Sequence, residues 1–238
     1  MTQHQNAHGQ PVGAPVPGWE PRPRPPRTPM VGRFCRVEPL DVARHAGELY
    51  EANCDDASGA NWTYLGIDAP ADFAAYRAWL EKMAAGDDPL FHAIVDTGGK
   101  AVGVATFMRI DPANGVIEVG NINYSPRLQR KPAATEAMYL MMARVFDELG
   151  YRRYEWKCDD LNAPSRAAAG RLGFRYEGTF LQAIVYKGRN RDTAWFSITD
   201  REWPAIKAAF ERWLAPDNFD AEGRQKQGLA ELRAAGAR

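Results

Sequence analysis

The stretch Glu118–Glu136, EVGNINYSPRLQRKPAATE, decides how this chain is read. Ile117, Val119 and Tyr124 are strand formers, so the segment opens as a β-strand. It turns through Ser125-Pro126, passes Arg127, Gln129, Arg130 and Lys131, and enters an apolar-periodic segment at Pro132. A strand that feeds a basic turn and then a helix aims free backbone N–H groups at an anion. Proline suits the first helical position, where an N–H has no helical partner. The segment predicts a site for a phosphate-bearing cofactor.

On the N-terminal side, Leu90–Val95 and Val102–Arg109 read as strands joined by Thr97-Gly98-Gly99-Lys100. Asn114-Gly115 is a hairpin signal leading into the strand of the opening stretch, which makes an antiparallel meander. Further upstream come a short strand at Arg33–Val37 and a helix capped by Asp41 that reaches about Asn53. A second helix opens at Asp72 and carries Phe73, Tyr76, Trp79, Leu80 and Met83 at helical spacing.

On the C-terminal side, Ala134, Met138, Met141, Val145 and Leu149 form a helical stripe that Gly150 can end. Arg153–Lys157 is a strand, and a short helix starts at Asn162 or Ser165 and closes at Leu172-Gly173-Phe174. Tyr176–Lys187 and Thr193–Thr199 make a hairpin around Gly188-Arg189-Asn190, and Arg201–Leu214 is a further helix. No linker divides residues 30–215, so this order predicts one mixed α/β (α+β) domain.

Residues 1–29 hold eight of the seventeen prolines, interleaved with Arg22, Arg24 and Arg27. This composition predicts a disordered or extended arm. Residues 216–238 read as a polar tail, helical from Glu222 onward.

The chain has 238 residues, thirty basic and thirty acidic, so no global field favours nucleic acid or an anionic membrane. Cys35, Cys54 and Cys158 lack metal-ligand spacing and read as reduced thiols of a cytoplasmic protein; no metal site is expected. No apolar run reaches membrane-spanning length, and no apolar signal-peptide core is visible near the start. Cys158 has no histidine near it in sequence, which argues against a covalent Cys-His mechanism.

Three motifs together resemble the GNAT N-acetyltransferases, in the branch of the ribosomal-protein N-terminal acetyltransferases, over roughly residues 30–204. The first, Gln129-Arg130-Lys131-Pro132-Ala133-Ala134-Thr135-Glu136-Ala137, is similar to the family's pyrophosphate loop, Q-x-x-G-x-[GA]-T-E-A. The second is Asn162-Ala163-Pro164-Ser165 followed by Arg171-Leu172-Gly173-Phe174. The third is Glu177-Gly178 followed by Gly188-Arg189-Asn190-Arg191-Asp192. The resemblance implies a mostly antiparallel sheet of about seven strands flanked by helices. It also implies acetyl transfer from acetyl-CoA to a primary amine, of a small molecule or a peptide N-terminus, by direct attack.

Carried over residue by residue, the pyrophosphate would rest on Arg130 and Lys131, with Gln129, Ala133, Ala134 and Thr135 adding hydrogen bonds. The sequence departs from the pattern at Pro132, which replaces a glycine and removes one amide donor. Backbone N–H groups between Ile122 and Tyr124 would polarise the thioester carbonyl. Asn162 would contact the pantetheine arm, and Arg166 would meet phosphate or solvent. Glu118 is the candidate base; its other reading is a structural carboxylate paired with an arginine. Many relatives carry an acidic tyrosine seven residues after the motif asparagine, but here that position is Ala169. Ser165 is the nearest substitute, and its other reading is a first-turn helix cap. Trp62, Tyr64, Phe107, Tyr124, Tyr186 and Trp195 would line the acceptor site or fill the core. A CoA-binding sensor or interaction module with little catalysis is the competing reading, motivated by Pro132 and Ala169. Analogy alone suggests a homodimer.

Overall fold

The computed structural model describes residues 4–236; the first three residues of the arm and the last two of the tail lie outside them. In chain order the elements begin with β1 (His4–Gln5), β2 (Pro11–Val12), β3 (Met30–Val31), β4 (Cys35–Pro39), α1 (Val42–Cys54) and α2 (Phe73–Ala84). Next come β5 (Leu90–Asp96), β6 (Ala101–Asp111), β7 (Val116–Tyr124), α3 (Pro132–Ala143), β8 (Arg153–Asp159) and α4 (Ala163–Leu172). Last are β9 (Arg175–Tyr186), β10 (Arg189–Thr199), α5 (Trp203–Leu214) and α6 (Leu229–Gly236).

β1 and β2 pair only with each other, and the other eight strands form one sheet in the order β3-β4-β5-β6-β7-β8-β10-β9. The sheet has one strand more than expected, because β3 is a two-residue strand at the edge, too short to leave a periodic signal. All its neighbours are antiparallel except β7 and β8, which run parallel. Local chemistry sets the first two helices: Asp41 and Asp72 each accept a hydrogen bond from a first-turn N–H, of Arg44 and Ala75. Their apolar stripes, with Leu49, Tyr76 and Leu80, pack on Ala93, Val95 and Val104 of one sheet face. α3 and α5 cover the other face, where Met138, Met141 and Phe210 meet Phe107, Ile117 and Tyr154.

Glu136 binds α3 to the start of the domain. Its buried carboxylate accepts from the amides of Arg33 (2.8 Å), Phe34 (2.6 Å) and Cys35 (2.9 Å), tying α3 to the turn before β4. Gly32 has to be glycine there, since a Cβ would collide with the Glu136 carboxyl group. The arm, expected to be disordered or extended, is extended from Trp19 onward and bonds to the domain. The Trp19 indole donates to the Ala113 carbonyl (2.8 Å), Arg27 pairs with Asp87, and Arg144 donates to the Thr28 carbonyl (2.8 Å). The helix after Pro132 ends in a π-helical turn, Arg144–Glu148, and helix in the tail starts at Leu229 rather than Glu222. No helix among the described residues is long and apolar enough to cross a membrane.

Candidate active site

Two parallel strands that part company make the site. β7 and β8 pair only from Val116–Val119 against Arg153–Trp156. Beyond that point β7 carries a bulge: Gly120 faces Thr106 and Asn123 faces Val104, so Asn121 and Ile122 oppose the single residue Ala105. Asn121 takes the left-handed conformation there (φ +47°). A bulge bends its strand, and this one turns β7 away from β8 and opens a wedge in the sheet. A cavity of about 230 Å³ fills the wedge, bordered by Glu118, Ile122, Trp156, Lys157, Ser165 and Arg191.

Glu118 is 4% exposed, on the inner wall of this cavity. Lys157 Nζ lies 2.8 Å from its carboxylate and Arg109 Nη1 3.3 Å. Lys157 also pairs with Glu155 (2.7 Å) and rests 3.7 Å above the centre of the Trp195 ring. Burial pushes the Glu118 carboxyl above its ordinary range, while the Lys157 and Arg109 charges pull the other way. Opposite, the Trp156 indole donates to Ser165 Oγ (2.9 Å). With that lone pair engaged, the serine proton is free to be directed elsewhere in the cavity. Asn162 caps α4, its side-chain oxygen accepting from the Ser165 amide at 3.1 Å.

A second cavity, of about 560 Å³, lies at the start of α3, between Arg130, Lys131 and Thr135 on one side and Arg171 and Arg224 on the other. No side chain caps this helix, so its first-turn amides and positive dipole end face the cavity. Arg130 holds the left-handed conformation (φ +59°), which for a residue with a Cβ costs about 1–2 kcal/mol. That turn brings Arg130, Lys131 and the helix start to one cavity. A strand wedge beside a cationic, uncapped helix start suits a long thioester with a pyrophosphate in its tail.

A family model described as the acetyltransferase (GNAT) domain matches residues 36–175, more than half of the chain. The chain belongs to the GNAT acetyltransferase family. A GCN5-related N-acetyltransferase from Brucella melitensis is 52% identical in its crystal structure, covering 92% of this chain and 100% of its own, with a TM-score of 0.90. An uncharacterised N-acetyltransferase, p20, of Bacillus licheniformis is 31% identical over 48% of this chain and 63% of its own length. YdaF of Bacillus subtilis strain 168, named as a candidate ribosomal N-acetyltransferase, is 27% identical over 46% of this chain and 59% of its own. The GNAT chain thus spans about three fifths of these two curated relatives.

The remaining expected site residues of this GNAT domain fall into distinct places. Ile122 borders the wedge and Ala134 the second cavity. Ala133 is buried in the core, and its carbonyl takes a contact from the Cys35 thiol at 3.5 Å. The Thr135 hydroxyl accepts from Arg171 (3.0 Å). Gln129 spends its side-chain amide on Asn61 (2.7 Å) and on the Tyr124 carbonyl (2.8 Å), so it braces the turn. The Tyr124 phenol is enclosed without a hydrogen-bond partner, and burial raises its pKa. Arg166 forms an ion pair with Asp160 beside the Tyr176 ring. Of the aromatic candidates, Trp62 and Phe107 are core, Tyr64 borders the wedge, Trp195 carries Lys157, and Tyr186 donates to Asp159 (2.7 Å).

Read from the sequence, Lys157 and Thr193 carry no site role, and Arg171 and Arg191 enter only as parts of motifs. A signal for Lys157 was present in β8, where Glu155, Lys157 and Asp159 alternate with Tyr154, Trp156 and Cys158 and so share one face. A row of charges inside a central strand asks for partners within the fold. For Arg191 and Thr193 only the contacts across strands reveal a role.

Proposed function

We propose that this protein transfers an acetyl group from acetyl-CoA to a primary amine of a small molecule or a peptide N-terminus. The observation that carries the reading is the wedge between β7 and β8, which gathers Glu118 and Ser165 about one cavity. Bound acetyl-CoA supplies the activated acetyl group and a thiol leaving group.

Arg130, Lys131 and the first turn of α3 hold the pyrophosphate, with Arg171 close by at Thr135. Asn162 sets the start of α4, and the unpaired backbone edge of β7 beyond Val119 offers amides to an extended chain in the wedge. Glu118, its acidity reduced by burial, takes a proton from the incoming ammonium, directly or through a water. An α-amine, with its pKa of about 8, loses that proton more readily than a lysine at about 10.4. Ser165, already accepting from Trp156, is oriented to donate its own proton to the departing sulfur. Ala169 is fully buried in the core and carries no proton to give in place of the tyrosine of other relatives, while Ser165 borders the wedge as a hydroxyl donor.

Calorimetric titration of acetyl-CoA, followed by an amine panel with free-thiol detection, tests the reading. Micromolar binding with thiol release is the expected result. The Arg130→Ala, Lys131→Ala double variant is expected to bind about 10- to 100-fold more weakly, as loss of charge-assisted bonds dictates. An affinity unaltered by the double change would remove the phosphate role of this turn.

A further inference from the structure

The wedge holds more than the chemistry of transfer requires. Its charged side chains are Arg109, Lys157 and Arg191 with Glu118 and Asp159, and Glu155 pairs with Lys157 from two residues back on β8. Arg109 and Lys157 are both spent on Glu118. Asp159 is engaged by the Tyr186 hydroxyl at 2.7 Å and by the Leu161 amide at 2.9 Å. Arg191 is left over: its buried Nε has no hydrogen-bond partner, and its guanidinium carbon lies 5.8 Å from the centre of the Tyr186 ring. Two residues along, Thr193 is only 3% exposed, borders the same cavity, and its hydroxyl likewise has no partner. Arg191 and Thr193 flank an irregularity in the β9–β10 ladder, and both border the cavity. Two residues beyond Thr193, Trp195 carries Lys157 and through it Glu118.

Buried donors without partners are costly, and such groups in native cavities mark a missing acceptor. An unpaired arginine beside a hydroxyl matches a carboxylate, whose two oxygens take a guanidinium fork and an O–H together. The roof of the wedge limits what can bring that group in. Tyr64 donates to the Leu161 carbonyl (3.1 Å), and Lys187 donates to the Trp62 carbonyl (2.8 Å) and pairs with Asp68 (3.1 Å). These bonds tie the loop before α2 to the β8–α4 turn, through Leu161, and to the tip of the β9–β10 hairpin, through Lys187, beside a cavity of about 230 Å³. We infer that the acceptor is a small amine bearing a carboxylate, of the free amino acid type, whose carboxylate is held by Arg191 and Thr193 while its amine faces Glu118. This rests on the acetyl-transfer reading and adds the class of acceptor to it.

The test compares free α-amino acids with their carboxamides as acceptors, at saturating acetyl-CoA, by thiol release. The expected result is a kcat/KM about 10- to 100-fold higher for the acid than for its amide, the worth of one charge-assisted pair. Arg191→Gln should abolish the preference and leave acetyl-CoA affinity, measured by calorimetry, unchanged. Thr193→Val, which preserves shape, should reduce the preference severalfold and serves if Arg191→Gln does not fold. Calorimetric binding of N-acetylated amino acids should weaken in both variants in step with the kinetics. Amides accepted as well as acids, or a preference that survives both substitutions, overturns the inference while the acetyltransferase reading stands. Acetyl-CoA binding without transfer to any amine overturns both.

Discussion

Lys157 Nζ lies 2.8 Å from the Glu118 carboxylate, and each side chain is 5% exposed. Because β7 and β8 pair in parallel up to Val119 and Trp156, the next residue of β8 stands at the mouth of the wedge, beside Glu118. The lysine charge opposes the burial that raises the Glu118 pKa and so favours the carboxylate form that can take a proton. Glu118→Gln is therefore expected to lower kcat by about 100-fold or more with little change in acetyl-CoA affinity. Lys157→Met removes the charge that lowers the Glu118 pKa, so the acid limb of the kcat/KM profile should move to higher pH. A purely structural Glu118 would leave that limb in place and lower the Tm alone.

Ser165→Ala separates proton donation from packing. Transfer is expected to slow by about 10- to 100-fold, while calorimetry shows acetyl-CoA bound as before. The same change leaves the Trp156 indole N–H without its acceptor, a loss of about 1–3 kcal/mol that urea denaturation would register. Ser165→Thr, which keeps the hydroxyl, should restore part of the rate.

Glu136 sits in the stretch that resembles the cofactor loop, yet its carboxylate faces away from both cavities, toward the amides of Arg33, Phe34 and Cys35. Glu136→Ala should cost about 3 kcal/mol or more, since several buried donors lose a charged acceptor at once. The measurement is urea denaturation, with acetyl-CoA binding by the folded fraction as control. A loss under about 1 kcal/mol would show that water replaces the carboxylate.

Stability is expected to fall in two acid steps. Burial, reinforced by the Arg144 charge, holds the His92 imidazole at about 4, below its ordinary 6.5. A depressed folded value means that this stability is present above pH 6.5 and is lost as pH falls toward 4. Glu177, hydrogen-bonded by Arg153 and by Ser197, is held at about 2 against an ordinary 4.5. Its contribution is present above pH 4.5 and lost as pH falls toward 2. A Tm–pH curve should therefore lose its upper step in His92→Leu and its lower step in Glu177→Gln. His92→Leu should also raise the Tm near neutrality, because both ring nitrogens are buried without partners.

Much of the fold could be read from residues whose information is local. Asp41 and Asp72 stand where helices start, Gly173 where one ends, and Asn114-Gly115 where a hairpin turns. The turn residues Thr97–Lys100 and Asn114-Gly115 and the stripe of α3 placed the sheet and its covering helix. β3 escaped because two residues carry no period, and the contacts of the arm escaped because its anchors, at Asp87, Ala113 and Arg144, lie far away in sequence.

The candidate site divides along the same line. By itself the sequence determined a strand–basic turn–helix unit and the caps and apolar periods around it, because turn chemistry, capping and periodicity act over a few residues. Only the tertiary structure decided that Glu118 is matched to Lys157, that Gln129 braces the turn, that Glu136 holds three distant amides, and that Arg191 and Thr193 face the wedge unpaired. Each of those facts depends on which strands become neighbours and where β7 bulges. Such contacts join residues tens of positions apart, and they are set by the packing of the whole sheet rather than by any local stretch of chain.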